Sequence, residues 1–295
     1  MNIGVLYIAS GQQYIDEAIS SASNLNTYDI SSTLITPADE EFDARDELPF
    51  DNVIRKDGFR NDLGDKVKYI SESPYEKTVF IDSDTAIVGD ISPLFELLNR
   101  VDIAVARSPV DVVEFDDIPD SFPELNTGVV AYGNSKEVRN LFEKWEEIYN
   151  IYLKSGFPDD KDRNPKKRLL NQPSFRKALY ESDISYSILP REYNFRGPGA
   201  SASNKVKIIH HRRLISNSEF LNEINEVEVL RCIWRDKLYR RGHKDVVFGN
   251  NSLLVRSIYH LNQILPIEDW LQATGQFERA KYYYKKYVDR SDRSI

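Results

Sequence analysis

The chain has one cysteine, Cys232, in 295 residues. That excludes an internal disulfide framework and any zinc site built from thiolates. Long apolar runs are missing as well, and none approaches the roughly 18 residues needed to cross a bilayer. Net positive charge is also absent: 39 Lys+Arg stand against 47 Asp+Glu, giving a formal charge of −8 and a pI near 5.2. This argues against a nucleic-acid binder, whose affinity comes from neutralising phosphates. Met1 leads directly into the apolar Ile3 to Ala9, too short and uncharged at its start for a signal peptide. The expectation is a protein made and kept in the cytoplasm.

What is present is an α/β pattern. Ile3 to Ala9 reads as a buried strand, Ser10-Gly11 as a turn, and Tyr14 to Leu25 as a helix with Ile15, Ala18, Ile19 and Ala22 on one face. Strand, glycine turn and helix open a nucleotide-binding layer whose ligands sit at the carboxyl ends of the strands. Further strands are expected at Ile30 to Ile35, Asn52 to Ile54, Thr78 to Ile81, Asp102 to Ala106, Gly128 to Tyr132, Ser185 to Leu189 and Lys205 to Ile209. Helices are expected at Asp65 to Ser71, Pro93 to Leu98, about Ser135 to Tyr152, and Gln172 to Tyr180. Ser108 to Pro123 is acidic and carries three prolines, which reads as a loop over the site. From about Glu219 the pattern becomes helical without strands. The expected division is a domain over 1–218 and a helical segment over 219–295.

The strand Val79-Phe80-Ile81 ends in Asp82-Ser83-Asp84. Strand side chains alternate with period two, so both carboxylates can project to the same side. Two adjacent carboxylates repel unless a cation joins them. Hard oxygen ligands suit Mg²⁺ or Mn²⁺, with a phosphate on the far side of the ion. The competing reading is a solvated acidic turn.

Further segments change that balance: Lys66, Asn126-Thr127-Gly128, Asn171-Gln172, Leu189-Pro190 with Tyr193-Asn194, and Lys207-Ile208-Ile209-His210. In order and spacing over about residues 1–214 this series resembles the GT-A glycosyltransferases. The resemblance is strongest to glycosyltransferase family 8, the glycogenin and lipooligosaccharide galactosyltransferase group. It implies a Rossmann-like mixed sheet flanked by helices, with a helical C-terminal extension here. It also implies that Asp82, Asp84 and His210 hold Mn²⁺ or Mg²⁺ bridging the two phosphates of a nucleotide-sugar. Lys66, sixteen positions before Asp82, matches the family's phosphate-contacting lysine. Ile8, Ala9, Ser10 and Tyr14 match the region that grips the nucleobase, which makes UDP the expected nucleotide, and Ser83 is placed for the ribose. Asn126 and Thr127 would line the sugar pocket, and Gln172 matches a residue near the sugar's reactive carbon. The reaction implied is transfer of a hexose to a glycan or glycolipid hydroxyl with retention of configuration.

Two departures stand out. The family's aspartate before Gln172 is Asn171 here, and an amide can hydrogen-bond sugar hydroxyls but cannot act as a carboxylate base or nucleophile; either the choice of sugar is altered or an acid from the Asp159-Asp160 loop serves instead. After His210 the family's diphosphate-binding lysine motif is missing. His211-Arg212-Arg213-Leu214 follows, and Arg212 or Arg213 could bind the diphosphate in its place. An inverting enzyme would need a base opposite the donor, for which Asp111, Glu114, Asp116 and Asp117 lie in a suitable loop.

Arg231, Arg235, Lys237, Arg240, Arg241 and Lys244 form a basic cluster. It reads either as an interfacial helix docking on the inner membrane face near a lipid-linked acceptor or as a solvated helix face. Two rival functions remain. A sugar-nucleotide nucleotidyltransferase would want a Gly-rich basic loop after the first strand, and Ser10-Gly11-Gln12-Gln13 lacks it. A non-catalytic GT-A-like scaffold is kept open by Asn171.

Overall fold

The computed structural model describes residues 2–40, 48–108, 113–157, 170–196, 201–202, 204–215, 221–222, 224–226, 231–235 and 245–247. Its centre is a seven-stranded mixed sheet in the order β3-β2-β1-β4-β7-β6-β8. The strands are β1 (Ile3–Ile8), β2 (Ser31–Pro37), β3 (Asn52–Lys56), β4 (Lys77–Ile81), β6 (Ile103–Arg107), β7 (Leu125–Gly133) and β8 (Tyr186–Leu189). β1 pairs parallel with β2 and β4, while β7 runs antiparallel to both β4 and β6.

Period-two alternation sorts the central side chains. Leu6, Phe80 and Val130 face one layer, where helices α2 (Gly64–Tyr69), α4 (Lys136–Ser155) and α5 (Gln172–Tyr180) pack through Val67, Leu141, Trp145 and Phe175. Val5, Tyr7, Val79 and Ile81 face the other, against Ile15 and Ala18 of α1 (Gln12–Ala22) and Leu94 and Phe95 of α3 (Ser92–Leu97). Ser135 caps α4 by accepting from the Val138 amide at 3.2 Å, and Gly156 ends the helix with φ 80°. Because both faces of the sheet are buried, β4 and β7 sit at the centre of the molecule. Whatever emerges from the end of β4 is held by two neighbours.

A second pairing carries the chain to the site. β5 (Thr85–Ile87) runs antiparallel to β10 (Ile208–His210), with His210 opposite Thr85. The four-residue α6 (Arg212–Ile215) follows directly.

The expected helical, strand-free character after Glu219 is corrected where the structure describes that region. β11 (Arg231–Arg235) and β12 (Asp245–Val247) are antiparallel strands, and β11 also pairs with β9 (Ser201–Ala202). Cys232-Ile233-Trp234 favours a pleated strand over a helix, so Arg231 and Arg235 stand on a strand rather than on a helix face. Lys237, Arg240, Arg241 and Lys244 lie outside the described residues, as does the expected helical run beyond 247. No helix among the described residues is long and apolar enough to cross a membrane.

Candidate functional site

The acidic turn begins where β4 ends. The Asp82 amide donates to the Gly128 carbonyl of β7 at 2.8 Å. A file of buried hydroxyls reaches the same turn from the other layer: Tyr7 Oη to Ser21 Oγ at 3.0 Å, Ser21 Oγ to Thr85 Oγ1 at 2.9 Å, and Thr85 Oγ1 donating to the Asp82 carbonyl at 2.8 Å. Burial pushes the Tyr7 phenol well above its ordinary pKa, against the opposing hydrogen bond with Ser21. Tyr7 therefore stays neutral and keeps its proton for this chain. The backbone of the turn is thus fixed from two sides.

Three side chains converge at the turn. His210 Nε2 lies 3.2 Å from Asp84 Oδ1 and 3.8 Å from Asp82 Oδ2. One ligand atom from each of Asp82, Asp84 and His210 falls within 4.8 Å of the others, with His210 buried and the carboxylates half-buried. Burial raises the Asp84 pKa, but the His210 hydrogen bond and the charges of His210, Arg212 and Arg196 outweigh it and hold the carboxyl at about 2. Two carboxylate oxygens and one imidazole nitrogen suit a divalent ion that prefers oxygen and accepts one nitrogen ligand. The residues present fit the expected Mn²⁺ or Mg²⁺ by their donor chemistry.

Gly128 makes room for the imidazole. A Cβ at this position would lie 2.1 Å from His210 Cε1 and 2.5 Å from Nδ1, so only glycine permits the ring to sit where it does.

Lys66 on α2 is buried, and its Nζ donates to Asp82 Oδ1 at 2.8 Å, Oδ2 at 3.1 Å and the Thr127 carbonyl at 3.1 Å. Lys66 is therefore not a solvated surface lysine. In the protein alone, Lys66 supplies the positive charge that the carboxylate pair requires.

On the other side of the turn a wall of amides forms. Thr127 Oγ1 donates to Asn171 Oδ1 at 3.0 Å, and Asn171 Nδ2 donates to the Leu63 carbonyl at 3.1 Å. Asn171 is nine-tenths or more buried and ties the start of α5 to β7 and to the segment before α2. Gln172 binds Asn126 through its carbonyl and donates from Nε2 to Glu124 Oε1 at 3.0 Å. Asn126 Oδ1 in turn accepts from Asn194 Nδ2 at 2.8 Å, and Asn194 Oδ1 meets His210 Nδ1 at 2.9 Å.

The β1 end is arranged differently. Ala9 donates its amide to the Ile35 carbonyl at 3.1 Å, so that N–H is already used by β2. Ile8 and Ser10 are half-buried beside it, and Tyr14 is exposed on α1. The Arg212 guanidinium lies 5.1 Å from the Tyr14 ring centroid, and its Nε pairs with Glu17 at 2.7 Å. Ser83 Oγ also reaches Glu17, at 3.4 Å. Tyr14, Ser83 and Arg212 are therefore brought together through Glu17.

Sequence reasoning missed Glu17 and Glu124. The signal for Glu17 was its position one helical turn after Tyr14, on the same face. Glu124 had only a weak one, two residues before Asn126 and immediately ahead of the strand that carries it. Asp117 is exposed and pairs with Lys177. Asp111, Asp159 and Asp160 lie outside the described residues.

No protein-family model and no curated protein sequence matches the chain. Solved structures do. The glycosyltransferase GlyE of Streptococcus pneumoniae TIGR4 superposes with a TM-score of 0.51 at 18% identity, over 75% of this chain and 63% of that one. The match thus spans less than two thirds of GlyE. A galactosyltransferase, LgtC, solved with donor and acceptor sugar analogues, superposes with a TM-score of 0.50 at 12% identity, over 75% of this chain and 94% of that one. At such identity the likeness shows the fold, an α/β GT-A sheet with flanking helices.

Proposed function

We propose that this protein is a metal-dependent glycosyltransferase that moves a hexose from a nucleotide-diphospho-sugar, UDP-linked, to a hydroxyl of a glycan or glycolipid. One observation carries the reading. Asp82, Asp84 and His210 offer two oxygens and a nitrogen within 4.8 Å at the carboxyl end of the central strand, where α/β sheets bind their ligands.

Asp82, Asp84 and His210 would hold Mn²⁺ or Mg²⁺, which when bound supplies charge neutralisation for the departing diphosphate. Lys66 would release one Asp82 oxygen and turn toward a phosphate. Arg212, already beside Ser83 and Tyr14, would serve the diphosphate where the family's lysine is missing. Ile8, Ala9, Ser10 and Tyr14 would border the base, with recognition falling to carbonyls and the Tyr14 ring because the Ala9 amide is engaged. Asn126, Thr127 and Gln172 would meet sugar hydroxyls. We favour retention: the bond from the anomeric carbon to the phosphate oxygen breaks, the acceptor oxygen bonds that carbon on the same face, and the acceptor proton passes to the leaving phosphate. The catalytic unit would be residues 1–218, with 219–295 as an accessory segment that brings the basic 231–244 stretch toward an acceptor-bearing membrane surface.

A second reading rests on Asn171. Its amide is consumed by Thr127 and Leu63, and a binding protein that kept the fold without turnover would look the same there.

Calorimetric titration with UDP should show binding that depends on Mn²⁺, and a screen of nucleotide-sugars should show metal-dependent hydrolysis abolished by Asp84→Ala. Equal UDP affinity with and without metal would end the metal reading. Binding with no hydrolysis of any donor would favour the non-catalytic one.

A further inference from the structure

His210 can bind a metal through Nε2 only if its proton sits on Nδ1. The Nδ1 partner is Asn194 Oδ1 at 2.9 Å, and an amide oxygen can only accept. An amide can be turned over, however, so Asn194 fixes the tautomer only if something fixes Asn194.

The chain of bonds beyond it does so. Asn194 Nδ2 donates to Asn126 Oδ1, which also accepts from the Gly128 backbone amide at 3.1 Å. That backbone N–H cannot reverse, so Asn126 must present its oxygen on this side and its Nδ2 to Gln172. Gln172 then presents Oε1 to Asn126 and Nε2 to Glu124 Oε1, 3.0 Å away. Glu124 is fully buried, and a carboxyl group keeps an acceptor oxygen in either protonation state. Every bond from His210 to Glu124 therefore donates in the same direction. The two members that cannot turn, the Gly128 amide and the Glu124 carboxylate, agree on that direction.

We infer that Asn194 is a positioning residue that holds His210 as the Nδ1–H tautomer, and that Glu124 locks the polarity of this relay through Gln172 and Asn126. The inference rests on the metal reading above only for its purpose, which is to keep the retained proton on Nδ1, so that Nε2, facing Asp84 and Asp82, is the nitrogen that gives up its proton to an ion. Metal-ligating histidines are commonly oriented by a carboxylate or carbonyl on the other nitrogen. Here three amides carry that role from a carboxylate across the sugar-facing wall. Gln172 and Asn126, matched by resemblance to the sugar pocket, would then belong to the same hydrogen-bonded unit as the metal ligand.

The test uses the full chain labelled with ¹⁵N-histidine and kept metal-free at a pH where the imidazole is neutral. His210 resonances are assigned by their loss in His210→Gln. The native protein should show Nδ1–H; a native Nε2–H form overturns the proposal without any variant. In Asn194→Leu the Nε2–H form should appear, and Mn²⁺ affinity should fall roughly 10- to 100-fold. In Glu124→Leu both effects should appear more weakly, while Glu124→Gln, which keeps an acceptor oxygen, should hold the native tautomer. A folded Asn194→Leu protein with unchanged tautomer and Mn²⁺ affinity would refute the positioning role. A folded Glu124→Leu protein identical to the native one would refute the lock. If the tautomer follows these variants but the native chain binds no Mn²⁺, the relay stands and the metal reading falls.

Discussion

Gly128 and His210 occupy one space: a Cβ on the former would lie 2.1 Å from Cε1 of the latter. The strand that carries the amide wall and the strand end that carries His210 therefore constrain each other. In Gly128→Ala the imidazole must move or β7 must shift, at a cost of about 1–3 kcal/mol for overpacking. Because the displaced ring leaves Asp84, Mn²⁺ binding should weaken more than stability does. Thermal denaturation with and without Mn²⁺ checks this, and a variant that keeps native Mn²⁺ affinity would contradict it.

Acid should act through Asp84. Its folded pKa of about 2 lies below the ordinary 3.8, so its contribution is complete above the unfolded value and is lost as the pH falls from about 4 through 2. The difference corresponds to about 2 kcal/mol. Urea denaturation from pH 5 to pH 2 should show wild type converging on Asp84→Asn as the acid limit is reached. Parallel curves across that window would show that Asp84 contributes nothing to the acid response.

Lys66 neutralises the carboxylate of Asp82, which an ion held at this site would also share. Lys66→Met leaves Asp82 beside Asp84 without its partner and should cost about 1–3 kcal/mol in the metal-free protein. Added Mn²⁺ supplies the missing charge, so the rise in Tm on adding metal should be larger in the variant than in wild type. An equal or smaller rise would mean that Lys66 does not shield the site.

Thr85→Val keeps the shape of β5 but leaves the Asp82 carbonyl and Ser21 without their shared hydroxyl. A loss of about 1–3 kcal/mol is expected, with weaker Mn²⁺ binding because the turn is released on one side. Thr85→Ser, which retains the hydroxyl, should recover most of both. Matching urea midpoints for Thr85→Val and wild type would refute the role of the hydroxyl file.

The parts of the site that lie on regular alternation were legible in the sequence. Asp82 and Asp84 follow three apolar strand residues, and α5 opens at Gln172 as its pattern predicts. β7 was read from Gly128, yet it begins at Leu125, because Asn126 and Thr127 interrupt an apolar run although they are buried. Their burial is made possible by Asn171, Gln172 and Asn194, which lie tens of residues away and leave no local trace. β5 was not anticipated: three residues after an acidic turn carry no period, and their pairing is set by Ile208, Ile209 and His210 far downstream. Arg212 was assigned to phosphate from its chemistry, whereas its pairing with Glu17 depends on how β10 docks. The C-terminal expectation failed at Arg231–Arg235 because charged residues at near-helical spacing masked a short β-forming core.

Among the described residues, the three-rung ladder between β5 and β10 is the regular strand pairing that joins His210 to the turn. It closes a loop of more than a hundred residues. An ion shared by Asp84 and His210 would span that closure and act as a clasp. At 100 times its Kd it would add about 2.7 kcal/mol to the joined state, comparable with the whole cost of one of the substitutions above. Donor binding and the docking of the late strands would then be two readings of one equilibrium, so limited proteolysis between β8 and β10 should slow as metal is added.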